Sequence, residues 1–166
     1  MVSRLSNIAK VISLRKKEAL IILLWGLILG LIVIEVYWVG YQEIRWLQYY
    51  RVPYGWYETP TPKLLDLLLV LIASIGFGAL MSNTKVLFYG YIAGFLLAFF
   101  MSFVFVMYYM WAVLRLEVLF NWANFDWEWA VFFATLNVGK IMFPQVVFLS
   151  LLGVVVGCFL RGRFGY

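Results

Sequence analysis

The sequence predicts an all-α integral membrane protein with four transmembrane helices, both termini in the cytoplasm, and short interfacial helices in the outer loops. Two observations carry this. Residues 19–34, 67–83, 86–114 and 141–160 pass without one Asp, Glu, Lys or Arg, and helices built on such runs can cross about 30 Å of hydrocarbon. Composition agrees: 66% of the 166 residues are apolar and 13% are charged, against about 25% charged in soluble domains, so nothing is left over for a soluble domain. The expected spans are 18–39, 64–82, 86–114 and 141–160, within one transmembrane domain, 1–166.

Charge fixes the expected orientation. With the loops assigned alternately, Arg4, Lys10, Arg15, Lys16, Lys17, Lys85, Arg161 and Arg163 share one side and five basic residues the other, which by the positive-inside rule places both termini on the cytoplasmic face of the cell membrane. Glu43, Glu58, Glu117, Asp126 and Glu128 fall in outer loops, Glu35 and Asp66 near outer helix ends, and Glu18 alone inside. The net charge of +5 is then mostly membrane asymmetry. A nucleic-acid partner is not expected, because no basic face joins a recognition fold.

Residues 3–17 set Leu5, Ile8 and Ile12 among basic residues, as an amphipathic arm would, although topogenic charge before a first helix is the simpler and preferred explanation. The apolar run that follows lacks a small-residue cleavage site and reads as a retained helix. Span one carries Gly26-x-x-x-Gly30 and, near its outer end, Glu35. An intramembrane carboxylate is a functional candidate, but at about 6 Å below the interface Glu35 can reach headgroups or pair with Arg45, Arg51 or Arg115.

The first outer loop, 40–63, is crowded with aromatic residues, including Trp46 and Trp56 beside Trp38 of the preceding span. Its start suits a short helix in the interface. Thr59-Pro60-Thr61-Pro62 then makes an extended entry to span two, with Thr61 as expected N-cap and Pro62 at the first helical position. Asp66 falls in the first turn, where the helix dipole favours it. The connection 81–85 is so short that spans two and three are expected to be antiparallel neighbours.

Span three, 86–114, pairs Gly90 and Gly94 in its first third with a bulky half containing Tyr108 and Trp111. Beyond it, Trp122, Trp127 and Trp129 crowd the second outer loop, and an interfacial helix is expected over 127–138, capped by Asp126 and closed by a left-handed Gly139. Pro144 suits the first turn of span four, which carries Gly153-x-x-x-Gly157 and stops at Arg161 and Arg163.

Each span thus holds a small-xxx-small element: Gly26/Gly30, Ser74/Gly78, Gly90/Gly94 and Gly153/Gly157. Lipid gives helices no hydrophobic reason to associate, so close backbone approach is what holds them. Under the expected orientation all four elements lie in the cytoplasmic half, and the helices should pinch there and spread in the outer half.

Catalytic, cofactor and metal sites are not expected. The chain has no His, one Cys, Cys158, in apolar surroundings, and no paired carboxylates at helical spacing inside a span, so neither a metal set nor an activated nucleophile can be assembled from it. Glu35 and Asp66 are the only carboxylates close enough in depth to form a dyad. The expected function is a non-catalytic accessory subunit that packs against other integral membrane subunits, with lipid or partners on Trp38, Trp46, Trp56, Tyr108, Trp111, Trp122, Trp127 and Trp129. The alternative is a small carrier for a lipid, quinone or other hydrophobic molecule that enters through the outer opening.

Overall fold

The computed structural model describes residues 2–48, 60–112 and 127–164. Among these every regular element is a helix: α1 (Val2–Gln48), α2 (Leu64–Leu80), α3 (Thr84–Ala112), α4 (Trp127–Ile141) and α5 (Val147–Phe164), the last two joined by the wide turn Met142–Val146. Three stretches are long and apolar enough to cross a membrane: Lys16–Gly40 within α1, the whole of α3, and the bent α4–α5 path Trp127–Arg163. Helix α2 is apolar, but its 17 residues reach only about 25 Å.

Helix α1 is much longer than the expected 18–39. Its 47 residues run about 70 Å, taking in the basic arm and the start of the first outer loop as one rod. Arg, Lys, Glu and Gln are good helix formers, so a change from apolar to charged residues marks the edge of a span and not the end of a helix.

The ends of α2 and α3 are set by local hydrogen bonds. Helix α2 begins after Lys63, not Thr61, because the Asp66 carboxylate accepts the Lys63 N–H at 2.8 Å, leaving Pro60 to Lys63 as the entry. At its other end Met81 turns extended and its N–H reaches the Phe77 carbonyl. Asn83 then caps α3, its side-chain oxygen accepting the Lys85 N–H at 2.9 Å. Gly139 lies inside α4 in ordinary helical conformation, so it closes nothing; Asp126 lies outside the described residues. The break comes four residues later, at Phe143, whose backbone is extended (φ −110°, ψ 135°) before Pro144, which has no N–H to continue the ladder. The Phe143–Pro144 peptide is cis.

The helices pack as two parallel pairs. Helix α1 lies along α3, and α2 along α5, the second pair running opposite to the first. The short 81–83 turn reverses the chain without making α2 and α3 close partners, since each finds a better-fitting face elsewhere. Buried positions on α3 recur at Gly90, Gly94, Ala98, Ser102, Val106 and Met110. A four-residue step advances about 40° around a helix, so this stripe winds from one face to another and serves both α1 and α4.

Helix α4 is docked, not lying free at a surface. Ala130, Ala134, Val138 and Ile141 are buried, with α3 as its main neighbour. The expected spreading of the outer half is therefore not seen among the described residues. Tyr37, Val106, Tyr109 and Met110 join the same core, and Tyr37 meets Tyr109 edge-on with centroids 5.5 Å apart. Two alanines four residues apart, Ala130 and Ala134, let α4 fill the space that the sequence suggested would stay open.

The 60–82 segment also links the two ends of the apolar part of α1. Pro60 abuts Gly40, and the Ser82 hydroxyl donates to the Glu18 carboxylate. Between Glu18 and Gly40 α1 rises about 33 Å, so α2 with its extended flanks covers that same height.

Gly157→Ala should lower the thermal midpoint of the purified protein in mild detergent, by the equivalent of about 1–3 kcal/mol, because its Cβ would run into the Ile75 carbonyl of α2. Gly76→Ala, with nothing within 4 Å of its Cβ, should be neutral or slightly stabilising. Equal melting of the two variants would separate stability from this packing.

Candidate functional site

A side chain can lie flat across a helix only where that helix presents no Cβ. Gly94 of α3 does this for Trp25 of α1: a Cβ there would stand 2.6 Å from the indole ring, and one on Gly26 would stand 2.8 Å from the Gly94 carbonyl oxygen. The two helices therefore approach backbone to backbone, with the Trp25 ring beside the contact.

From that slot Trp25 reaches the other pair of helices. Its ring stacks on Phe77 of α2, centroids 4.4 Å apart at 16°, and its N–H donates to the buried Ser74 hydroxyl at 3.2 Å. Tyr91 of α3 lies 5.2 Å from the same ring. The Tyr91 hydroxyl is 2.8 Å from that of Ser150 on α5; since Ser150 donates to the Val147 carbonyl at 2.9 Å, Tyr91 is the donor. All four long helices thus meet through Trp25, Ser74, Tyr91 and Ser150. Their polar groups satisfy one another, as a dry interior requires, and the cluster offers no activated nucleophile or base.

The other small residues occupy the two parallel seams. On the α1–α3 side, a Gly90 Cβ would be 2.7 Å from Ile22 and a Gly30 Cβ 3.4 Å from Ala98. On the α2–α5 side, a Gly153 Cβ would be 2.7 Å from the Ser74 Cβ, Gly78 abuts the Val154 backbone, and Gly157 abuts Ile75 and Ala79. The Ser102 hydroxyl donates to the Ala98 carbonyl of its own turn at 2.8 Å and reaches the Gly30 carbonyl of α1 only at 3.5 Å, so it ties that second helix weakly.

The aromatic residues fall differently. Trp38, Tyr108, Trp111, Trp127 and Trp129 are exposed on the outside of the bundle, Trp129 at 59%. Tyr108 and Trp111 contact each other, as do Trp129 and Phe132, both edge-to-face. Trp56 and Trp122, and the side chain of Trp46, lie outside the described residues. Glu35 is exposed on α1, and the side chains of Arg45, Arg51 and Arg115 are likewise outside the described set. Asp66 is buried but turned onto the first turn of its own helix, so the two carboxylates form no dyad. Among the described residues no three His, Cys, Asp or Glu side chains gather to hold a metal ion. The Cys158 thiol faces the Gly78 carbonyl at 3.8 Å, in the α2–α5 seam.

Trp25 is the residue that sequence reasoning passed over. One signal was present: it is a tryptophan inside an apolar run, away from the interfacial belt where that residue concentrates. The repeat Ala130-x-x-x-Ala134 was a second small-residue signal, and it marks the face by which α4 docks. Comparison with protein-family models, curated proteins and solved structures finds no match to this chain.

Trp25→Ala should cost about 3–5 kcal/mol of stability, and Ser74→Ala about 1 kcal/mol by stranding the indole N–H. Ser102→Ala should cost far less. Denaturation by graded SDS in mixed micelles, followed by tryptophan fluorescence for the serine variants and by circular dichroism for all three, checks the order; a Ser102 effect as large as that of Ser74 would contradict it.

Proposed function

We propose that the chain crosses the cell membrane four times, with both termini cytoplasmic, and serves as a non-catalytic accessory subunit that packs against other integral membrane subunits. Support for the fourth crossing comes from α2, which with its flanks matches about 33 Å of α1 in height and runs along α5. The bias of Lys and Arg toward one end of the bundle supports the orientation.

The observation that carries the subunit reading is the aromatic band on the outside of α3 and α4. Tyr108 and Trp111 on α3 and Trp127, Trp129 and Phe132 on α4 stand exposed, and large aromatic side chains are the usual anchors of protein interfaces. Internal polar groups are already engaged around Trp25, so the interior offers little for chemistry or permeation. A carrier loading through the outer half has less in its favour, since Tyr37, Tyr109, Ala130 and Ala134 fill that region.

Purification of the tagged chain from native membranes in mild detergent should yield it with larger membrane subunits in fixed ratio. Trp111→Ala with Trp129→Ala should weaken that association by about 30-fold or more while leaving the melting profile of the isolated chain intact. A chain that elutes alone, or a complex indifferent to both substitutions, would remove this reading.

A further inference from the structure

At the end of the bundle opposite the aromatic band, α2, α5 and the beginning of the apolar part of α1 surround an open cavity of about 560 Å³, lined by Lys17, Ala79, Leu80, Met81, Ser82, Leu160 and Arg161. That volume is within the range of about 300–1,000 Å³ usual for small-molecule sites. Its wall is apolar and its polar groups are two cations and a hydroxyl. We infer that it holds the phosphate of an anionic phospholipid, taken by Lys17 and Arg161, with Leu80 and Leu160 against the beginning of an acyl chain. The inference is independent of the accessory-subunit reading, which concerns the other end of the molecule.

Arg161 gives the strongest reason. It sits in the last turn of α5, where a cation offsets the negative end of the helix dipole, but such an arginine ordinarily keeps its head in water or on the last carbonyls. Here Nη1 is buried without a hydrogen-bond partner among the described residues. A guanidinium N–H left unanswered out of water is costly; the side chain as a whole is half-buried and lines the cavity, so a turn of the guanidinium toward it would offer a phosphate oxygen the fork that matches it.

Local charge and position agree. Lys16, Lys17, Lys85, Arg161 and Arg163 collect at this end, with Glu18 as the carboxylate among them, and Glu18 is already engaged by the Ser82 hydroxyl. Lys16 and Arg163 also bound two of the apolar stretches, so the cavity lies at headgroup depth, where basic pockets between helices select anionic lipids. The tail has a surface to follow, because Leu80 and Leu160, which line the cavity, are exposed. A free phosphate ion would make no use of that apolar wall.

The test is native mass spectrometry of the full chain in mild detergent, titrated with dioleoyl phosphatidylglycerol, dioleoyl phosphatidylcholine or inorganic phosphate. One phosphatidylglycerol should be retained in preference to phosphatidylcholine. Arg161→Gln should weaken retention by about tenfold or more, and Lys17→Gln several-fold, while Arg163→Gln and Lys85→Gln, which remove the same charge nearby, should change it little. Lys17 is exposed, so its variant against Lys85→Gln decides the matter if Arg161→Gln does not fold. Equal loss in all four variants would reduce the effect to diffuse surface potential and overturn the site. So would undiminished binding in Arg161→Gln or equal retention of phosphatidylcholine. Inorganic phosphate binding with the same Arg161 dependence would overturn the lipid assignment.

Discussion

Everything in this fold depends on how closely the backbones of α1 and α3 approach at Gly26 and Gly94. Inside a bilayer an apolar helix gains nothing from exchanging lipid for another apolar surface, so attraction must come from dense contact and from hydrogen bonds that lipid cannot make. The absent Cβ at Gly94 supplies both at once. It brings two backbones together and seats the Trp25 ring where its N–H reaches Ser74 and its face reaches Phe77. A second seam, Gly153 and Gly157 against α2, repeats the close approach, and Trp25 with Tyr91 joins the two.

Parallel pairing follows from where the small residues lie. Chain connectivity alone favours antiparallel neighbours across a short turn, as between α2 and α3. Yet those two present each other with little that fits, whereas α1 matches α3 and α2 matches α5 at the same depth. Small-residue complementarity outweighs adjacency along the chain. The winding stripe on α3 then leaves a second face for α4, whose alanines complete the outer half.

Much of this was legible in the residues. The charge-free run 86–114 located α3 to within two residues of its start. The outer limits of α1 were not legible, because charged residues end an apolar run without ending a helix. The docking of α4 was misjudged for a related reason: flanking charges suggested a surface position, while Ala130 and Ala134 pointed inward. Caps moved by two residues where Asp66 bonds to Lys63 instead of Thr61 capping the helix. The Trp25 junction depends on a slot in a different helix, which no local pattern encodes. Arg161 read simply as a stop signal, since the burial of one of its nitrogens exists only after α2 and α5 come together.

The great length of α1 has a mechanical consequence. Its apolar part, Lys16–Gly40, is clamped into the bundle, but the rod continues well past both clamps. A slight rocking of the bundle in the bilayer is therefore magnified at the two tips, which swing in opposite directions, as a beam does about a fulcrum.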